Sequence, residues 1–160
     1  MTKTPRIATA LLCLGFFAAA PSASQDLVAD DGPEIVRDAD SVVDWIRPQP
    51  HDPDVVDTVL LFTNQGRFSG RVRCKAFDKN GAAIGRAWLA VPALGLRYAL
   101  ASDVAGDRDF VGHVQCFVDA NVVGTAVLLA AGEVSDLPVQ NGFLRKDVSR
   151  RIRFPVVATY

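Results

Sequence analysis

Histidine is scarce in this chain of 160 residues: there are two, His51 and His113. Two imidazoles so far apart offer no HExxH pair and no spaced cluster of metal ligands. There is no CxxC, which leaves a thiol redox catalyst or a zinc site without its usual ligands. There is no GxSxG; in GRFSG (66–70) the serine falls one place late for a nucleophile elbow. No Walker loop or GxGxxG follows a strand pattern. The chain therefore reads as a non-enzymatic protein with no implied cofactor or metal. Collagen periodicity and heptads are also missing. Beyond the first 24 residues no apolar run reaches the roughly 18 residues of a membrane span. With 49% hydrophobic residues and a net charge of −1, it does not read as a disordered chain.

What is present begins with an export signal. Lys3 and Arg6 precede the apolar run Ile7–Ala20, and the small residues PSAS lead to Gln25. This three-part layout predicts a signal peptide over 1–24, cleaved after Ser24. The run is shorter than the roughly 20 residues a spanning helix needs; an uncleaved N-terminal anchor is the alternative. Cys13 follows Leu12, where a lipoprotein signal requires a small residue. Cleavage removes Lys3 and Arg6 and no acid, so the net charge falls from −1 to −3. Export and that charge disfavour nucleic acid as a partner. The expected location is periplasmic or secreted, with no transmembrane segment after processing.

Two cysteines remain, Cys74 and Cys116, and each lies on the apolar side of a period-two pattern. In FSGRVRCKAFD, Val72, Cys74 and Ala76 alternate with Arg71, Arg73 and Lys75. In FVGHVQCFVDA, Val114, Cys116 and Val118 alternate with His113, Gln115 and Phe117. Such alternation marks half-buried strands. A pair of inward cysteines in an exported chain predicts a disulfide, with two separate buried thiols as the alternative.

Residues 25–57 carry ten acids against Arg37 and Arg47, whereas 58–160 carry thirteen bases against eight acids. This predicts an acidic arm and linker over 25–54 ahead of a β-sandwich domain over 55–160. The arm either seeks a basic partner or lies on its own domain's basic face. Pro33, Ile35, Ala39, Val42 and Ile46 suit a short helix within 34–47, while SVVDWI suits a strand equally well. From Val55 the pattern is nearly all strand: 55–63, 68–78, 83–91, 94–100, 110–119, 122–130 and 152–160. Asp78-Lys79-Asn80-Gly81 predicts a hairpin, and Ala120-Asn121 is expected to join 110–119 to 122–130 as a second pair. The stretch 131–150 is looser. These signals predict an all-β, antiparallel sandwich of about seven strands.

Asn64-x-Gly66, Val72-x-Cys74, the Gly81 turn, Val91-Pro92-Ala93 and Phe110-x-Gly112-x-Val114 before Val122–Leu129 together resemble small exported bacterial immunoglobulin-like β-sandwich proteins. They are also similar to the β-sandwich of sensory rhodopsin transducers. The resemblance covers about 55–130 and implies a role in binding or assembly. It transfers no functional residue.

The candidate site is a basic stripe. Arg71, Arg73 and Lys75 share one side of a strand, and neighbouring like charges repel. Arg86, Trp88 and Arg97 extend the stripe if their strands are adjacent. Arginine beside an aromatic ring suits carboxylate or phosphate. The expected partner is a protein; the alternative is carriage of a small anionic ligand in the periplasm. A solvated face is the plain reading. Asp103, Asp107 and Asp109 offer hard oxygens for Ca²⁺, but as turn or cap residues they need no ion. Arg145, Lys146, Arg150, Arg151 and Arg153 read as a solvated edge. The closing run Ile152–Tyr160 also matches the last strand of an outer-membrane barrel.

Overall fold

The computed structural model describes residues 32–37, 56–119, 121–130, 133–143 and 149–160. The leader over 1–24 and the arm beyond Arg37, with most of the helix-or-strand question over 34–47, lie outside them.

The described residues form nine strands. They are β1 (Val56–Asn64), β2 (Gly70–Asp78), β3 (Ala83–Val91), β4 (Leu96–Leu100), β5 (Phe110–Asp119), β6 (Val122–Ala130), β7 (Glu133–Leu137), β8 (Gln140–Phe143) and β9 (Ser149–Thr159). A single helical turn, α1 (Ala101–Ala105), follows β4. The seven expected strands are all present. The two additional ones, β7 and β8, occupy the stretch that reads as loose. Strand β7 has no apolar alternation because it is an edge strand with little to bury.

Two antiparallel sheets stack as a sandwich. One has the order β4-β1-β6-β7 and the other β3-β2-β5-β9-β8. Leu60 and Phe62 from the first meet Val72, Leu89, Val114, Cys116, Ile152 and Phe154 from the second, all of them buried. Phe62 and Phe154 cross between the layers edge to face, their centroids 5.9 Å apart. At one corner the sheets are stitched together: Val56 and Tyr160 exchange backbone hydrogen bonds of 2.9 and 3.0 Å.

The DKNG signal is a turn between β2 and β3, as expected. Asp78 Oδ1 accepts from the amides of Asn80 and Ala82, and Gly81 takes a left-handed φ of 84°. The expected β5–β6 pair does not form. Strand β5 lies between β2 and β9, while β6 pairs with β1 in the opposite sheet. The connection is therefore a corner crossing between layers, and it is tied by the Gln65 amide donating to the Asn121 carbonyl at 2.9 Å.

The expected disulfide is present. Cys74 and Cys116 are register partners on β2 and β5, with Cα atoms 4.1 Å apart. The bridge joins neighbours within one sheet and points into the core. In antibody domains the corresponding bridge joins the two sheets.

The α1 turn closes one end of the sandwich, with Val104 and Ala105 buried. Strand β3 admits it at Gly85, where a Cβ would lie 2.2 Å from the Val104 carbonyl oxygen. The open sheets, each with two edge strands, do not make the closed outer-membrane barrel that the last strand suggests.

Candidate functional site

Strand register decides which of the candidate residues meet. Arg73 is opposite Trp88 and Lys75 is opposite Arg86 across β2 and β3. Arg71 and its neighbours are exposed, on the side of the sheet away from the disulfide. Arg97 does not join them. It stands on β4, an edge strand of the other sheet, where its Nη1 donates to the Leu96 carbonyl at 3.1 Å. The sequence condition that β3 and β4 be adjacent is not met, because the chain changes layers between them.

The same face continues where the sequence reading stopped. On the far side of β2, β5 presents His113, Gln115 and Phe117, and beyond it β9 presents Arg151 opposite Phe117 and Arg153 opposite Gln115. Arg151 and Arg153 thus belong to the candidate face rather than to an edge; β8 is the edge that covers β9. Their alternation with Ile152 and Phe154 was visible in the sequence, but the identity of the neighbouring strand was not.

Two of the arginines rest on aromatic rings. Arg71 lies over Trp88 at 4.3 Å from the ring centroid, and Arg151 over Phe117 at 5.2 Å. His113 stacks on Phe77 at 4.8 Å, the planes 8° apart. With its amide turned to satisfy its hydrogen bonds, Gln115 accepts from Arg151 Nε at 2.8 Å. Asp119 sits at one end of the face and accepts from the Arg71 amide at 2.7 Å. Burial against the sheet, with a smaller push from the Arg153 charge, lowers the His113 pKa below its ordinary value.

Like charges directly opposite, as Lys75 and Arg86 are, destabilise a sheet. From β3 to β9 the face crosses three inter-strand gaps, about 14 Å in all. Its arginines can present planar donor forks to carboxylate or phosphate groups.

A second polar cluster fastens the arm. Among the described arm residues none is helical, and Glu34 forms an isolated parallel bridge with Trp88. Ile35 donates to the Trp88 carbonyl at 2.8 Å, and the Trp88 amide donates to the Pro33 carbonyl at 3.0 Å. Gly32 lies against Arg86; a Cβ there would fall 2.2 Å from its carbonyl oxygen. The arm therefore adds to the β3 edge beside the basic face. Arg37 then reaches Asp103 with two bonds of 2.8 Å, from Nε and Nη2. That hydrogen-bonded pairing raises the Arg37 pKa further, against the opposing effect of burial. Asp103 also accepts from the Leu100 amide at 2.9 Å and so caps α1. The carboxylate that could have served Ca²⁺ is held by the protein's own donors. Beside it, Asp57 is 5% exposed and accepts from the Ser102 hydroxyl and from the Thr58 amide at 2.7 Å. Burial pushes its carboxyl above the ordinary range, and the Ser102 bond offsets part of that effect. No sequence signal pointed to this cluster, since Arg37 and Asp103 are 66 positions apart.

The chain matches no known protein-family model, no curated protein and no solved structure.

Proposed function

We propose that this protein is an exported, non-enzymatic binding or assembly module that engages an acidic protein surface. The observation that carries the reading is the outer face of the five-stranded sheet. It gathers Arg71, Arg73, Lys75, Arg86, Arg151 and Arg153 from β2, β3 and β9, with Trp88 of β3 and Phe117 of the intervening β5 among them. A face of one sign of charge attracts an oppositely charged surface and favours its orientation on docking. A face about 14 Å across suits an extended acidic surface better than one small anion. Trp and Arg are also the residue types that anchor protein interfaces. A disulfide is compatible with an oxidising, exported location, and the leader pattern over 1–24 supports the periplasm or the exterior. No helix among the described residues is long and apolar enough to cross a membrane.

The test is co-purification of the tagged, exported protein, followed by mass spectrometry of everything retained. Arg73→Ser combined with Arg153→Ser should lower recovery of a protein partner and reduce the salt sensitivity of its binding. Equal recovery with both charges gone would overturn the reading. A bound small molecule in place of a protein would favour an anion carrier.

A further inference from the structure

The end of the sandwich opposite α1 presents two large apolar side chains to solvent. Phe68, on the loop between β1 and β2, is 86% exposed, and Leu94, on the loop between β3 and β4, is 74% exposed. The two loops are fastened to each other and to the strands beneath them. The Leu94 amide donates to the Gly66 carbonyl at 3.1 Å. Asn64, buried at the end of β1, reaches both sides: its Oδ1 accepts from the Gly66 amide at 2.8 Å, and its Nδ2 donates to the carbonyls of Phe68 at 2.8 Å and Val91 at 3.2 Å. Leu94 stands in a turn closed by the Gly95 amide on the Pro92 carbonyl at 3.1 Å, and its φ is 53°. That region suits glycine and disfavours a leucine. A bulky apolar residue is thus held in a strained conformation where it gains no burial.

Cations flank these tips. Arg67 is exposed beside Phe68, and Arg71 is exposed at the start of β2. Arg97, which has no place on the basic face, follows Leu94 near the start of β4. Loops 65–69 and 92–95 contain no acid. Asp119, at this end of β5, accepts from the Arg71 amide. We propose that this end docks on a bilayer surface bearing anionic phospholipids, with Phe68 and Leu94 entering the boundary between headgroups and acyl chains. Arg67, Arg71 and Arg97 then meet the lipid phosphates. Two side chains at convex loop tips bury far less than the roughly 800 Å² per partner of a stable protein interface. A bilayer receives single apolar side chains and needs no matching pocket. Loops fixed in advance by Asn64 also lose little freedom on insertion. The protein would lie on such a membrane through this end and leave the broad basic face open to its own partner.

Co-flotation of the full chain with vesicles tests this. Vesicles of equal parts phosphatidylglycerol and phosphatidylcholine should carry the protein up a density gradient, and pure phosphatidylcholine vesicles should carry several-fold less. Phe68→Ser combined with Leu94→Gly should lower flotation several-fold, while circular dichroism and a cooperative urea transition establish that the variant is folded. Should the pair disturb folding, Phe68→Ser alone, at the more exposed of the two positions, gives the same reading. Arg67→Ser should weaken binding to the anionic vesicles and reduce its salt sensitivity. Arg73→Ser with Arg153→Ser should keep most of the flotation, which separates this inference from the acidic protein partner proposed for the broad face. No flotation of the parent, or flotation unchanged when Phe68 and Leu94 are replaced, would overturn the assignment. So would a dimer abolished by Phe68→Ser, which would give the tips to a second copy, or a protein partner lost with Phe68→Ser while vesicles bind neither form.

Discussion

Arg71 lies 4.3 Å from the centroid of the Trp88 ring, although its register partner on β3 is Ala90. The contact is diagonal, two positions along the neighbouring strand, within reach of long and aromatic side chains. It rests a guanidinium on the face of an aromatic ring. A double-mutant cycle with Arg71→Ala and Trp88→Ala should give a coupling of about 0.5–1 kcal/mol in urea unfolding. A coupling indistinguishable from zero would show that the pair is mere adjacency.

The Cys74–Cys116 bridge closes a separation of 42 residues. Chain-entropy reasoning gives such a loop about 4 kcal/mol of stabilisation. Cys74→Ala with Cys116→Ala should lower the unfolding free energy by an amount of that order. Intact mass should also show the native protein two hydrogens lighter than its reduced form. Quantitative alkylation of two thiols in the denatured, unreduced protein would contradict the bond.

Asp57 sets a pH dependence of predictable sign. Burial holds its folded-state pKa above the 3.8 of an ordinary aspartate, so the folded chain holds that proton more tightly than the unfolded chain does. Its contribution favours folding below that value and is lost as pH rises through the higher folded pKa. Asp57→Asn removes the ionisation and keeps an acceptor for the Thr58 amide. The stability of the variant minus that of the parent should therefore grow as pH rises from 3.8 and then level off. Urea titrations at stepped pH measure it; a flat or falling difference would reverse the assignment.

His113 behaves in the opposite direction. Burial, assisted by Arg153, lowers its pKa below 6.5, so the folded state resists protonation. Stability should be lost as pH falls from 6.5 through the lowered value. Proton NMR should place the His113 midpoint below 6.5, and Arg153→Gln should return it only part of the way, since burial is the larger cause. A midpoint at or above the ordinary value would mean that the ring on Phe77 is fully solvated.

The local chain determined a great deal by itself. Period-two alternation around Cys74 and Cys116 follows from the pleat, which sends successive side chains to opposite faces. It therefore identified seven of the nine described strands, the inward cysteines and the outward Arg71, Arg73 and Lys75 without any knowledge of neighbours. Asp78 and Gly81 determined the β2–β3 turn, the first by accepting from the Asn80 and Ala82 amides and the second by taking a left-handed φ. What pattern cannot encode is adjacency. Strands β5 and β6, separated by two residues, look like a hairpin, yet they sit in different layers because β2 and β9 occupy both sides of β5. That arrangement brought Arg151 and Arg153 onto the basic face and left Arg97 on the other sheet. It also placed Asp103 where Arg37 could reach it. A strand's own residues determine which side of it is apolar. Which strand lies beside it depends on backbone hydrogen bonds between distant segments and on the closing of two sheets around one core, and only the tertiary structure decides that.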